Sequence, residues 1–232
     1  MNPSLDQTVI DEAYEDDPAS AAAEFGAEFR NDIADFVPRE VIEACTVPGR
    51  MELLPAAGLF YQAFVDPSGG TSDSMTLAIA HRQDDIGVLD AVREIRPPFS
   101  PQEVVTEFAA LIRAYRLHEV VGDRYAGEWP REAFRDAGIG YRLSDKPKAE
   151  IYRDTLPLLN SGKVELLDVP RLASQFCGLE RRASRGGRDM IDHGPGAHDD
   201  LANAAAGALL LARGQQGMRI SRAALMRLGI NP

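Results

Sequence analysis

The stretch YQAFVDPSGGTSDSMTLAIAH, residues 61–81, decides how the chain is read. An apolar run enters Asp66, a Pro-Ser-Gly-Gly turn follows, and a second apolar run leaves it. The first run is apolar at both odd and even positions, which predicts a central strand covered on both faces. A carboxylate at the mouth of such a strand needs a partner: a backbone amide, a phosphate or a metal ion.

Outward from this stretch, LFYQAFVD (59–66), MTLAIAHR (75–82) and IGVLDAVREIR (86–96) read as three consecutive strands. A Gly-rich turn and a polar turn join them as an antiparallel meander. SPQEVVTEFAALIRAYRL (100–117) predicts an amphipathic helix with Ser100 as N-cap and Pro101 at its first position. Its apolar face is Val104, Phe108, Leu111, Ile112 and Tyr115. HEVVGD (118–123) is a fourth strand, again ending in aspartate, WPREAFRDAG a helix and IGYRLSD (139–145) a fifth strand. KAEIYRDTLPLLNSG predicts a helix broken or kinked at Pro157, KVELLD a short extended piece, and PRLASQFCGLERRAS a further helix. RGGRDMIDHGPG reads as a polar loop before a last helix, HDDLANAAAGALLLAR. The acidic residues 1–50 read as helical linker, 51–213 as the main α/β domain and 214–232 as a tail.

In a mixed five-stranded sheet of order 3-2-1-4-5, strands one and four are neighbours. Asp66 and Asp123 then leave the same edge side by side, and a helix opening on Asp199 and Asp200 can complete a cluster. Carboxylates gathered so closely repel unless cations neutralise them. Their hard oxygens suit Mg²⁺ or Mn²⁺. A pair of such ions about 3.5–4 Å apart can activate water and stabilise the leaving oxygen of a phosphodiester.

At this point the residues resemble the ribonuclease H-like nucleases, and within them the C-terminal nuclease domain of the large terminase subunit of tailed phages. FVDPSGGTSDSMTLAIAH, VVGDRYAGEWPREAF, KAEIYRDTLPLLNSGKVELLD and RLASQFCGLERRASRGGRDMIDHGPGAHDDLANA carry the likeness, which extends over about residues 1–213. The resemblance implies a metal-dependent endonuclease that cuts concatemeric DNA during genome packaging with two divalent ions. It matches Asp66, Asp123 and the Asp199/Asp200 pair to catalytic metal ligands, without choosing between the last two. It also implies double-stranded DNA, a packaging ATPase domain, a small terminase subunit and a portal as partners, in the host cytoplasm. The family's full-length subunit carries a P-loop ahead of the nuclease. Here NSGKVE lacks both the upstream Gly and the following Ser or Thr. The expectation is therefore a nuclease fragment, or a protein without its motor.

Other residues are weaker candidates. His198 could contact the scissile phosphate or a ligand carboxylate, with His193 behind it, and Asp73 and Glu128 could lie just outside the ligands. Arg181, Arg182, Arg185 and Arg188 form the one basic cluster, so they are candidate DNA-backbone contacts, with Lys146 and Lys148 a lesser pair. His81 and His118 read as a strand end and a loop, and Trp129 as core or rim. Each acid also has a plain structural reading. Asp66 could close an Asx turn, Asp123 could cap a turn, and HDD could be an N-cap with dipole-favoured charge. VDPSGGT also looks like the phosphate turn of actin-like ATPases and sugar kinases, which need a second copy of the domain. A non-catalytic docking module is the remaining alternative.

Composition limits the choices. The 232 residues are 44% hydrophobic and 26% charged, ordinary for a globular chain. A net charge of −11 argues against a broad nucleic-acid surface but not against DNA met at a metal site. Two distant cysteines, Cys45 and Cys177, suggest no disulfide framework and fit a reducing compartment. The acidic N-terminus does not read as a signal peptide, and ALLLA is far too short to span a bilayer.

Overall fold

Side chains of the run before Asp66 alternate between two cores. Phe64 enters one, and Ala63 and Val65 enter the other. The computed structural model describes residues 33–124, 128–182 and 190–214. In chain order the elements are β1 (Ile33–Asp35), α1 (Arg39–Cys45), β2 (Tyr61–Asp66), β3 (Met75–Gln83) and β4 (Ile86–Ile95). Then come α2 (Pro101–Ala114), β5 (Glu119–Gly122), α3 (Trp129–Asp136), β6 (Gly140–Leu143) and α4 (Lys148–Asn160). The chain continues through β7 (Val164–Glu165), α5 (Pro170–Cys177), β8 (Leu179–Arg182), β9 (Met190–His193) and α6 (Asp200–Gly214).

The main sheet has the order β6-β5-β2-β3-β4-β7. β2, β3 and β4 form the antiparallel meander, and β5 and β6 run parallel to β2. The expected 3-2-1-4-5 arrangement is therefore present, in a sheet of six strands where five were expected. The sixth is β7, parallel to β4 and cut from the KVELLD piece. Two residues are too few to show a strand period, so only pairing reveals it.

A second, three-stranded sheet, β1-β8-β9, was not expected. The predicted helix at 170–184 stops at Cys177, with Gly178 as its C-cap, and the chain turns into β8. The polar loop after it contains β9, antiparallel to β8. Charged residues such as Glu180, Arg181 and Arg182 are not strand formers, and long-range pairing overrides their propensity. Helix α4 runs on through Pro157, which lies in its last turn. Ser100 occupies the N-cap of α2, but its hydroxyl makes no cap bond. His81 lies inside β3, buried, with Nδ1 2.7 Å from the buried carboxylate of Asp90 on β4.

One face of the sheet is covered by α2 and α3, through Val104, Phe108, Ile112 and Phe134. The other is covered by α6, backed by α1, α4 and α5. Within the expected linker, Phe36, Val37, Ile42 and Cys45 are buried in this second core. Helix α6 is lined with alanine, so it can lie close to the strands. Gly207 marks a close approach, where a Cβ would run into the Phe64 ring. No described helix is long and apolar enough to cross a membrane.

Candidate metal centre

Parallel pairing of β2 and β5 sets Val65 opposite Gly122, so the residues that follow, Asp66 and Asp123, emerge side by side. The Asp123 amide donates to the Val65 carbonyl at 3.2 Å and carries the pairing one step further. On the other flank of β2, Thr76 is the register partner of Asp66. Its hydroxyl donates to the Asp200 carbonyl at 2.7 Å and pins the start of α6 beside the two strand ends. One turn into the helix, the Asn203 side-chain amide donates to Asp66 Oδ2 at 2.8 Å and to Asp123 Oδ2 at 3.1 Å.

The neighbouring aspartates of α6 have different surroundings. Asp199 accepts from the Tyr152 hydroxyl at 2.8 Å and from the Lys148 ammonium at 3.0 Å. Lys148 also donates to Asp192 at 2.8 Å. Asp200 keeps a buried carboxylate oxygen, Oδ2, with no hydrogen-bond partner. His198 lies 4.0 Å from that oxygen and 3.9 Å from Asp73. All four aspartates line one cavity of about 480 Å³, together with Asp73, Trp129, Lys148, His193 and His198.

Electrostatics follow from this crowding. Burial pushes the Asp66 carboxyl well above its ordinary range; the Asn203 bond opposes that, and Asp123, Asp200 and Asp199 add to it. Asp200 is pushed up to about 6, by burial first and then by Asp199, with His198 pulling the other way. Burial works to lower Lys148, but Asp199 and Asp192 outweigh it and hold the ammonium firmly charged. Such crowding favours a positive charge beside Asp66 and Asp200.

The sequence candidates are distributed as follows. Asp66, Asp123, Asp199 and Asp200 converge, and Asp73, His193 and His198 share their cavity. Glu128 is exposed at the start of α3, 3.4 Å from Arg131. Lys148 points into the acid cluster, whereas Lys146 is paired with Asp154 at 2.6 Å and borders a separate cleft of about 120 Å³. Arg181 is exposed on β8, and Arg182 pairs with Glu180 at 2.9 Å. Arg185 and Arg188 lie outside the described residues.

Sequence reasoning missed Asp192, Tyr152 and Asn203. Asp192, His193 and Asp199 each offer a ligand atom, all within 4.8 Å of one another, and the Lys148 ammonium bridges the two carboxylates. Only the β8–β9 hairpin brings Asp192 here, and nothing in RGGRDMIDHGPG marks a hairpin. Asn203 had a legible signal: it is a polar residue in an otherwise alanine-rich helix, one turn after Asp199.

No family model matches the chain, and no curated protein matches it by sequence. Solved structures do match. The large terminase nuclease from thermophilic phage G20c has a TM-score of 0.62 at 16% identity, covering 72% of this chain and 94% of that one. The nuclease domain of the large terminase subunit of bacterial virus Sf6 has a TM-score of 0.59 at 14% identity, covering 76% and 98%. The HK97 bacteriophage large terminase has a TM-score of 0.60 at 17% identity, covering 90% of this chain. The fold is that of the large terminase nucleases. At these identities the likeness is one of architecture, and this chain spans about half, 52%, of the HK97 terminase.

Proposed function

We propose that the chain is a divalent-metal-dependent DNA endonuclease that cuts concatemeric phage DNA during genome packaging. The observation that carries this reading is the convergence of Asp66, Asp123, Asp199 and Asp200 on one cavity at the strand ends of a terminase-nuclease fold. The donor set fits Mg²⁺ or Mn²⁺: it is dominated by hard carboxylate oxygens, and Asp200 Oδ2 is buried without a partner. The G20c nuclease is known with bound magnesium, and an Sf6 nuclease-domain mutant with manganese.

Two bound ions would supply an activated water and stabilisation of the leaving oxygen. The chain's own residues hold and orient the ligands. Asn203 ties Asp66 to Asp123, and Tyr152 and Lys148 fix Asp199. His198, half-exposed at the rim, is poised to donate to a phosphate oxygen. Arg181, Arg182, Arg185 and Arg188 would grip the backbone of double-stranded DNA. In this reading residues 51–213 form the nuclease unit, 1–50 a joining segment whose last part packs onto it, and 214–232 a tail. A packaging ATPase domain, the small terminase subunit and the portal are the partners, in the host cytoplasm.

The test is plasmid digestion with Mn²⁺, with Mg²⁺ and with EDTA side by side. Nicking or linearisation is expected with either ion and not with EDTA. Cleavage undiminished by EDTA would refute the reading.

A further inference from the structure

We infer that Asn203 is a positioning residue of this site: its neutral amide holds Asp66 and Asp123 together while leaving their negative charge available to a cation. The inference rests on the metal-site reading above. Asn203 is fully buried among the alanines of α6, where a polar side chain is costly unless its bonds are made. Both protons of its NH₂ group are used, one on Asp66 Oδ2 at 2.8 Å and one on Asp123 Oδ2 at 3.1 Å. The reverse orientation would set a carbonyl oxygen against two carboxylates, so electrostatics dictates which end of the amide faces them.

This arrangement differs from that of Asp199. There the partner is the Lys148 ammonium, which cancels charge. The amide that joins Asp66 to Asp123 carries no charge, so it draws the two strand ends together without competing with an ion. The remaining atom of the amide, Oδ1, is buried with no hydrogen-bond partner. An unpaired buried carbonyl oxygen calls for an explanation. Asn203 is held there for its NH₂ group, whose bonds to Asp66 and Asp123 offset the loss at Oδ1. Residues that orient metal ligands typically change affinity by about 10–100-fold when removed.

The experiment is calorimetric titration of the full chain with MnCl₂, for wild type, Asn203→Ala and Asn203→Ser. Trp129, the chain's single tryptophan, lines the cavity and gives a parallel fluorescence reading without any nuclease assay. Asn203→Ala should weaken Mn²⁺ binding by about tenfold or more. Asn203→Ser, which keeps one donor, should fall between it and wild type, with the helical signal in circular dichroism unchanged. Wild-type Mn²⁺ affinity in a folded Asn203→Ala protein would overturn the inference and leave the nuclease reading standing. If Asn203→Ala does not fold, Asn203→Ser takes its place, and wild-type affinity in that variant overturns the inference in the same way. A wild-type protein that takes up no Mn²⁺ overturns the metal reading, and the role of Asn203 with it.

Discussion

The Lys148 ammonium lies 3.0 Å from the Asp199 carboxylate, deep enough that Asp199 is almost entirely buried. The chain thus carries a positive charge of its own within its acidic cluster. Lys148→Ala should destabilise the metal-free protein by about 2 kcal/mol, the scale of a hydrogen bond to a charged group. Mn²⁺ should then raise the melting temperature more in the variant than in wild type, because an ion can relieve the exposed repulsion. Melts of both proteins with EDTA and with millimolar Mn²⁺ measure this, and equal shifts would contradict it.

Asp66→Ala and Asp123→Ala should each abolish cleavage and leave the fold intact. Wild type should gain about 2.7 kcal/mol from metal at a hundredfold excess over its dissociation constant. Each variant should lose most of that gain; in EDTA the relief of carboxylate repulsion is set against the bond that buried Asn203 loses. Retained cleavage under saturating Mn²⁺ would remove the residue from the ligand set.

Asp200 gives the metal-free protein a pH dependence of definite sign. Its folded value is raised to about 6, above the ordinary carboxylate value. The native state therefore holds a proton that the unfolded chain has released, and stability falls as pH rises from about 4 to about 6. Asp200→Asn should flatten much of that slope in EDTA, read from denaturant midpoints between pH 4 and pH 7.5. The same slope in variant and wild type would assign it to other groups.

An acidic protein needs local cations to hold DNA. Neutralising Arg181, Arg182, Arg185 and Arg188 together, in a cleavage-dead Asp66→Asn background, should weaken binding across all sequences. The slope of log affinity against log salt should drop by about 0.9 for each phosphate no longer neutralised. An unchanged slope would make the cluster a solvated face.

Gly207→Ala sets two effects against each other. Alanine favours a helix interior over glycine by about 1 kcal/mol. At this position, however, the new methyl meets the Phe64 ring. Overpacking of this kind costs about 1–3 kcal/mol, so the expected result is net destabilisation. Thermal melts decide it, and a gain in stability would show that α6 can lift off β2.

The sequence by itself determined the meander, the crossover to β5 and β6, and the two aspartates at adjacent strand ends. Those features rest on local causes: period-two apolar runs, Gly-rich turns, and helical spacing in 100–117, each readable over a handful of residues. It also exposed Asp199 and Asp200 at a helix start. What only the tertiary structure decided is how those acids are held. Asn203 reaches Asp66 across 137 positions of chain, Thr76 reaches Asp200 across 124, and Lys148 reaches Asp192 and Asp199 across 44 and 51. Bonds over such separations leave no periodic mark, because they depend on which strand edges meet and where a helix lands on them. Lys148 read as a lesser DNA contact, and Asp192 as part of a polar loop, for the same reason. The β8–β9 hairpin and the short strand β7 exist through pairing, and β1 and β4, which complete that pairing, lie far from them in sequence.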